Sequence, residues 1–401
     1  MTHRLTRRLI ALTAAVGLGL TACAAPEEED TGTGGTGAAG GDSGDGPIKI
    51  GVNIELSGPS AVQGTAYKNA VEMVAEEINA DGGVLGRDLE LVIRDNKSDP
   101  TEALQVTKQM VENEDVVAIV GGGSSPTTMS TIEYVQSAEV PIVSMGSSDA
   151  IVMPVEERAW VFKVPAGTDM VMDKIFGEFE KEGITRVGFI SVDNPYGDAG
   201  LQAFTNNAPD AGIEIVGTEK FQATDKDYTS IVTKLVGQDP EAIIVWAIPP
   251  GAGIVAQNIA ASGFDGPVYY DPGAGAELFI RGAGEAAEGA RLVHPAVLVA
   301  DQVQGAANQE VMTEFHHAYS EAYGEYSGFA SYGADALKMI VQAIEEAGST
   351  DRQAVRDALD TIEYTGITGV YSMSAEDHSA LDPEALVMVT VEDGEWKLLE
   401  G

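Results

Sequence analysis

The sequence predicts an α/β fold of two similar lobes, each a parallel sheet covered on both faces by helices, with a groove between them. Strand-like and helical runs alternate from residue 47 onward, which is the pattern of parallel βαβ units. The alternation stops near residue 160 and then restarts. Extended, proline-containing runs lie where the chain would pass from one block to the other.

The first block opens with "IKIGVNIEL", a buried strand, and "TAYKNAVEMVAEEINA", whose apolar residues recur at helical spacing. "LELVIRD" reads as a strand and "PTEALQVTKQMVEN" as a helix with Pro100 near its start. "VVAIVG" is a strand, a helix starts at about Pro126, and "PIVSMG" is another strand. "WVFKVPAGTD", 160–169, is a candidate crossover. In the second block "RVGFISVD", "EIVGTEKF", "AIIVWAI" and "PVYYD" are strands separated by helices near 197–211, 226–237 and 250–262. "LVHPAV", 292–297, is a second candidate crossover. Three helical runs follow, "NQEVMTEFHHAYSEAY", "FASYGADALKMIVQAIEEA" and "RQAVRDALD". The end reads as a β-hairpin turning at Asp393-Gly394.

Ahead of this body lies a segment read as targeting rather than fold. Arg4, Arg7 and Arg8 precede the apolar run "LIALTAAVGLGL", too short for a comfortable membrane span. "LTAC" follows, ending in Cys23, the chain's one cysteine, so a disulfide framework is excluded. Residues 24–46 are rich in glycine and acids and have little to bury, which reads as a disordered tether. The formal charge of -40 excludes nucleic acid and an anionic membrane surface as electrostatic partners.

"VGGGSSPTTMS", 120–130, offers a candidate site. Neither a Gly-Lys-Ser/Thr phosphate loop nor a dinucleotide fingerprint is present, since Pro126 stands where glycine would be needed. Ser125 reads as an N-cap and Pro126 as the first helical residue, leaving free N–H groups that suit a carboxylate. Gly146, Ser147 and Ser148 end the next strand, and ligands of open α/β sheets sit at such carboxyl ends. Tyr196 follows a strand of the second block in the same way.

These residues carry a resemblance. "SGP" at 57–59, "INADGGVLGRDLELVIRD" at 78–95, "DP" at 99–100, "GGGSS" at 121–125, "GSS" at 146–148 and "NPYG" at 194–197 resemble the solute-binding proteins of ABC importers of the branched-chain amino acid type. "LTAC" resembles a bacterial lipobox, which agrees. The resemblance implies a type I periplasmic binding fold, two Rossmann-like lobes joined by three crossovers. Residues 1–22 would be a lipoprotein signal peptide and 23–46 the lipidated cysteine and tether. One lobe would be 47–164 and 296–366, the other 165–295 and 367–401.

It further implies that Ser125 binds a ligand carboxylate, with Ser124 beside it, and that Gly146, Ser147 and Ser148 bracket the polar head. Gln63 would lie against the ligand and Tyr196 would close from the second lobe. Gly273 stands where amino-acid binders of the family carry an acid for the ligand ammonium; Asp271 or Glu277 could replace it. The ligand would be an apolar amino acid, or else a small carboxylate or amide without an ammonium. The protein would be a monomer on the outer face of the cytoplasmic membrane, delivering solute to an ABC permease, with no cofactor.

Two other functions have a bearing on the same residues. A hydrolase lacks a G-x-S-x-G elbow around Ser125. His316 and His317 point about 100° apart on a helix, a poor metal pair, and His294 reads as a crossover residue, so no catalytic or metal residue is expected. A lipoprotein that presents ligand to a separate sensor would use the same fold. Trp160 and Trp246 read as core residues, Ile248 and Pro249 as groove lining.

Overall fold

Strand β1 (Ile48–Ile54) is buried over almost its whole length, so it must be central, and it is. The structure, a computed structural model, describes residues 46–399; Cys23 and its flanking segments lie outside the described residues. β1 pairs in parallel with β2 (Leu89–Asp95) and β3 (Ala118–Gly121), and β4 (Ile142–Ser144) and β5 (Val161–Lys163) complete a parallel sheet of order β2-β1-β3-β4-β5. Helices α1 (Ala61–Ala80), α2 (Pro100–Asn113) and α3 (Ser125–Ala138) connect its strands. The run "WVFKVPAGTD" therefore begins as an edge strand and becomes a connection only after Lys163.

The second sheet has the order β14-β13-β10-β9-β8-β6-β7. β6 (Arg186–Val192), β7 (Glu214–Phe221), β8 (Ala242–Trp246), β9 (Val268–Tyr270) and β10 (Arg291–Pro295) are parallel; β13 (Leu386–Glu392) and β14 (Glu395–Leu398) add an antiparallel hairpin at one edge. Its turn is at Asp393 and Gly394, both at positive φ. Helices α4 (Thr168–Glu182), α5 (Pro195–Asn207), α6 (Thr229–Val236), α7 (Gly251–Ser262) and α8 (Glu277–Ala283) serve this sheet. Tyr269 and Tyr270 alternate across β9 and pack edge-on against Phe179 and Phe279.

After β10 the chain returns to the first sheet. α9 (Gln309–Tyr323), α10 (Ala330–Ala347) and α11 (Arg352–Leu359) follow, with α10 packed on α1, on α11 and against β3 and β4. A small antiparallel pair, β11 (Glu363–Thr365) and β12 (Val370–Ser372), lies before the final passage to β13. Asp335 on α10 clamps the turn between them, accepting from Tyr364 Oη and from the N–H groups of Ile367 and Thr368. The described chain thus crosses between the sheets after β5, after β10 and after β12.

Candidate functional site

Both parallel sheets end their strands on one cavity of about 190 Å³. The first sheet contributes Ser124 and Ser125 after β3 and Met145 to Ser147 after β4. The second contributes Asn194 and Tyr196 after β6, Ala247 to Pro250 after β8, and Asp271 to Gly273 after β9. This is the carboxyl-end position that open α/β sheets reserve for ligands.

The β3–α3 turn differs from expectation by one residue. Ser124, not Ser125, is the N-cap, in extended backbone, and its side chain makes no capping bond; Ser125 is the first helical residue and Pro126 the second. An extended residue is needed where the chain enters the helix, and it falls one position earlier. Glu55, at the end of β1, braces the turn without capping the first-turn N–H groups. Its Oε1 accepts from the Ser124 N–H at 3.1 Å and from Thr127 Oγ1 at 2.6 Å, while Oε2 is buried without a partner. Burial pushes the Glu55 carboxyl above its ordinary range, against the pull of those hydrogen bonds.

Ser125 is buried, and its Oγ accepts from the Ser148 N–H at 3.1 Å. The two serine turns are therefore locked to each other. A Cβ on Gly146 would come within 3.1 Å of the Ser125 Cα, so glycine allows that approach. Ser147 faces the cavity; Ser148 is buried and does not line it. In this conformation the Ser148 N–H is already taken by Ser125 Oγ, so of the residues expected to bracket a polar head Gly146 and Ser147 line the cavity and Ser148 does not. Lys163, fully buried, donates from Nζ to Ser147 O at 2.9 Å and Asp149 Oδ1 at 2.7 Å, fixing the turn from behind. Burial alone would raise Asp149, but the Lys163 ammonium and the Thr168 hydrogen bonds outweigh it and hold the carboxyl below its usual range.

Opposite stands Asp271, almost fully buried. Oδ1 accepts from the Ala247 N–H at 3.0 Å; Oδ2 accepts from the Gly273 N–H at 2.9 Å and from the Tyr196 hydroxyl. Burial raises its pKa from 3.8 to about 8, more than these hydrogen bonds lower it. Tyr196 is placed by "NPYG": Asn194 caps α5, accepting from the Tyr196 and Gly197 N–H groups, with Pro195 as the first helical residue. Gly273 lines the cavity, and a Cβ there would collide with the Tyr196 hydroxyl. An acid at 273 and Tyr196 in this position exclude each other. Glu277, the other candidate acid, does not line the cavity.

Gln63 lines the cavity, and its buried Oε1 has no protein partner among the described residues; the same holds for Trp246 Nε1. Trp246 is both core and lining, stacked near Phe189 and tilted 6.0 Å from Tyr196. Ile248 and Pro249 also line it. Sequence reasoning missed Tyr67, Met145, Phe329 and Tyr332, which add an apolar wall. Tyr67 and Tyr332 sit within long helical patterns, where apolar periodicity reads as core packing and carries no sign of a cavity. Among the described residues Asp271 is the one acid in the lining, which has no lysine, arginine or histidine. His294 is buried in β10 and its pKa falls to about 4 by burial, so it is a neutral core residue.

A profile of the family described as periplasmic binding protein matches residues 47–395. The chain belongs to that family. A Pseudomonas aeruginosa relative, a leucine-, isoleucine-, valine-, threonine- and alanine-binding protein, is 25% identical over 326 residues, 80% of this chain and 84% of that protein. Among solved structures, an extracellular ligand-binding receptor from Rhodopseudomonas palustris HaA2 is 28% identical with a TM-score of 0.83, covering 88% of this chain and all of that one. The isoleucine complex of LivJ from Streptococcus pneumoniae is also 28% identical, with a TM-score of 0.77, over 88% of this chain and 98% of that one. These likenesses agree with two sheets that share one cavity. No helix among the described residues is long and apolar enough to cross a membrane.

Proposed function

We propose that the protein captures an apolar amino acid in the cavity and delivers it to an ABC permease from the outer face of the cytoplasmic membrane, where Cys23 anchors it by lipid. The observation that carries the ligand class is Asp271, a carboxyl in the lining beside Gly273 and across from the serine turns. The ligand carboxylate meets the free N–H groups at the start of α3 and the Ser124 and Ser147 hydroxyls. Its ammonium pairs with Asp271, backed by Tyr196, and Gln63 Oε1 offers an acceptor. The wall of Tyr67, Met145, Trp246, Ile248 and Phe329 receives an apolar side chain. The cavity is smaller than the roughly 300–1,000 Å³ of drug-sized pockets, which suits such a small solute. The amino acids in the Pseudomonas relative's name have the same chemistry.

One observation favours a second ligand class. With its pKa at about 8, Asp271 holds its proton at neutral pH and can donate, which suits a small carboxylate or amide lacking an ammonium. A thermal-shift screen separates the two: at about 100 times its Kd a ligand adds roughly 2.7 kcal/mol of stability. Leucine, isoleucine and valine are run beside their deaminated carboxylates and amides. Stabilisation by the amino acids alone supports the proposal, and stabilisation by the carboxylates alone replaces it with the second class. Anchoring is tested separately: Cys23→Ser should release the protein from membranes, and unchanged partitioning would refute the lipid anchor. Delivery to a permease, rather than presentation to a sensor, predicts ligand uptake lost on deletion of this protein.

A further inference from the structure

We propose that Asp301, His316 and His317 form a surface site for a divalent transition metal of the zinc class. One ligand atom from each lies within 4.8 Å of the other two. His317 Nε2 is 2.8 Å from Asp301 Oδ1, and the two imidazole rings of α9 stand 5.9 Å apart at 68°. The adjacency of the histidines on a helix spreads their rings, which is why the pair alone reads as a poor chelate. The backbone supplies the correction. Asp301 follows the short 3-10 turn Ala296–Val299 on the passage from β10 to α9, and that passage brings its carboxylate back over the helix.

Zinc takes imidazole nitrogen and carboxylate oxygen at about 2.0–2.2 Å, and three such ligands with water in the fourth position make a complete tetrahedral set. Ligand atoms in that geometry are about 3.3 Å apart, so small rotations of the exposed Asp301 and His317 side chains toward half-buried His316 close the site. His316 packs at a tilt against Tyr326, ring centroids 4.6 Å apart with 33° between the planes, and its Nδ1 has no hydrogen-bond partner. Imidazole with carboxylate selects zinc, nickel, cobalt or copper over magnesium and calcium, which prefer oxygen alone. The site is separate from the ligand cavity, whose lining contains none of the three residues. A bound ion would tie α9 to one of the passages between the sheets.

The test is calorimetric titration of zinc into the lipid-free protein with excess magnesium present, since a chain of charge -40 binds divalent ions diffusely. One zinc per chain, not displaced by magnesium, is expected. His317→Asn and Asp301→Asn, both at exposed positions, should each weaken it at least about tenfold, as losing even a supporting group of a metal site does. His316→Asn should do the same, with a thermal melt in the absence of zinc confirming that its half-buried position tolerates the change. The other histidines of the described residues, His294 and His378, are buried, so the assignment to α9 is unambiguous. Absence of a magnesium-resistant site in the parent, or equal zinc binding by His317→Asn and Asp301→Asn, overturns the proposal.

Discussion

Raising the pH from 6 to 8 should tighten the binding of an amino acid by about fiftyfold, and Asp271→Asn should abolish that dependence. Only the ionised carboxylate pairs with an ammonium, so the apparent Kd is multiplied by 1 plus the ratio of protonated to ionised Asp271. With a pKa of about 8 that factor falls from about 100 at pH 6 to about 2 at pH 8, roughly 2.3 kcal/mol. At pH 7 binding then releases about 0.9 proton. Titration calorimetry in two buffers of different ionisation enthalpy reads the proton count directly, and the affinity at each pH comes from the same curves. Asp271→Asn leaves a buried ammonium unpaired, a loss of about 3 kcal/mol or more, at least a hundredfold in Kd. The free protein responds with the opposite sign. A folded pKa raised from 3.8 to about 8 stabilises the fold fully below pH 4, and that contribution fades as pH rises to 8, by about 1.4 kcal/mol per unit. A flat affinity between pH 6 and 8, or a variant that keeps the parent's pH profile, would refute the pairing. Affinity that weakens as pH rises would instead show Asp271 acting as a donor to a ligand without an ammonium.

Ser125→Ala removes the acceptor of the Ser148 N–H and unlocks the two serine turns; ligand-induced stabilisation in a thermal melt should drop by about 1 kcal/mol. Gly273→Ala forces Tyr196 away from Asp271 and should weaken binding, and combining it with Tyr196→Phe should recover stability by removing the colliding hydroxyl. Urea titration of Lys163→Met should show a loss of about 1 kcal/mol from the Asp149 carboxylate left without its cation, a figure held down by the solvent that reaches its 37% exposed side chain, and partly restored by Asp149→Asn in the same chain. Ligand should shrink the radius of gyration in solution scattering as the two lobes close; an unchanged radius in a protein shown to start open would contradict closure.

Why the fold is so legible and the site only partly so follows from what each motif does. "DP" is a cap: Asp99 accepts from the Glu102 N–H and Pro100 opens α2. In "INADGG", Asn79 bonds both backbone groups of Leu89 and ties the end of α1 to the start of β2. "SGP" is held by Asp95, which accepts from Leu56, Ser57 and Lys97. Such residues announce themselves because caps and turns demand particular side chains at particular backbone angles. Residues that shape the cavity face no such local demand. Tyr67, Trp246 and Phe329 satisfy the helix or strand pattern that any core residue would, and only the meeting of two distant sheets turns them into lining. Glu55 is hidden for a related reason, since a charge at the end of a strand reads as solvated until α3 is laid over it.

Under the proposed function, Glu55 and Asp271 together account for how a site with no cation in its lining among the described residues would hold a zwitterion. Each is a carboxyl removed from water, and burial raises each. Glu55 accepts from the Ser124 N–H at the start of α3, where an ionised carboxylate would oppose a ligand carboxylate bound at the same helix end; burial pushes its carboxyl toward the neutral form, which would leave the helix's partial positive charge to the ligand. In the proposed complex Asp271 would be ionised by the ammonium that it pairs. The free cavity is then close to neutral, and in the proposed complex the zwitterion brings both charges with it, its carboxylate meeting the helix end and its ammonium driving the proton off Asp271. A ligand with a carboxylate alone gains only the first contact, and one with an ammonium alone only the second. Glu55→Gln keeps the neutral shape of the acid and should change amino-acid affinity by less than tenfold at pH 7, about 1.4 kcal/mol. A larger loss would mean that Glu55 works as an anion, and the charge balance drawn between the two carboxyls would fail.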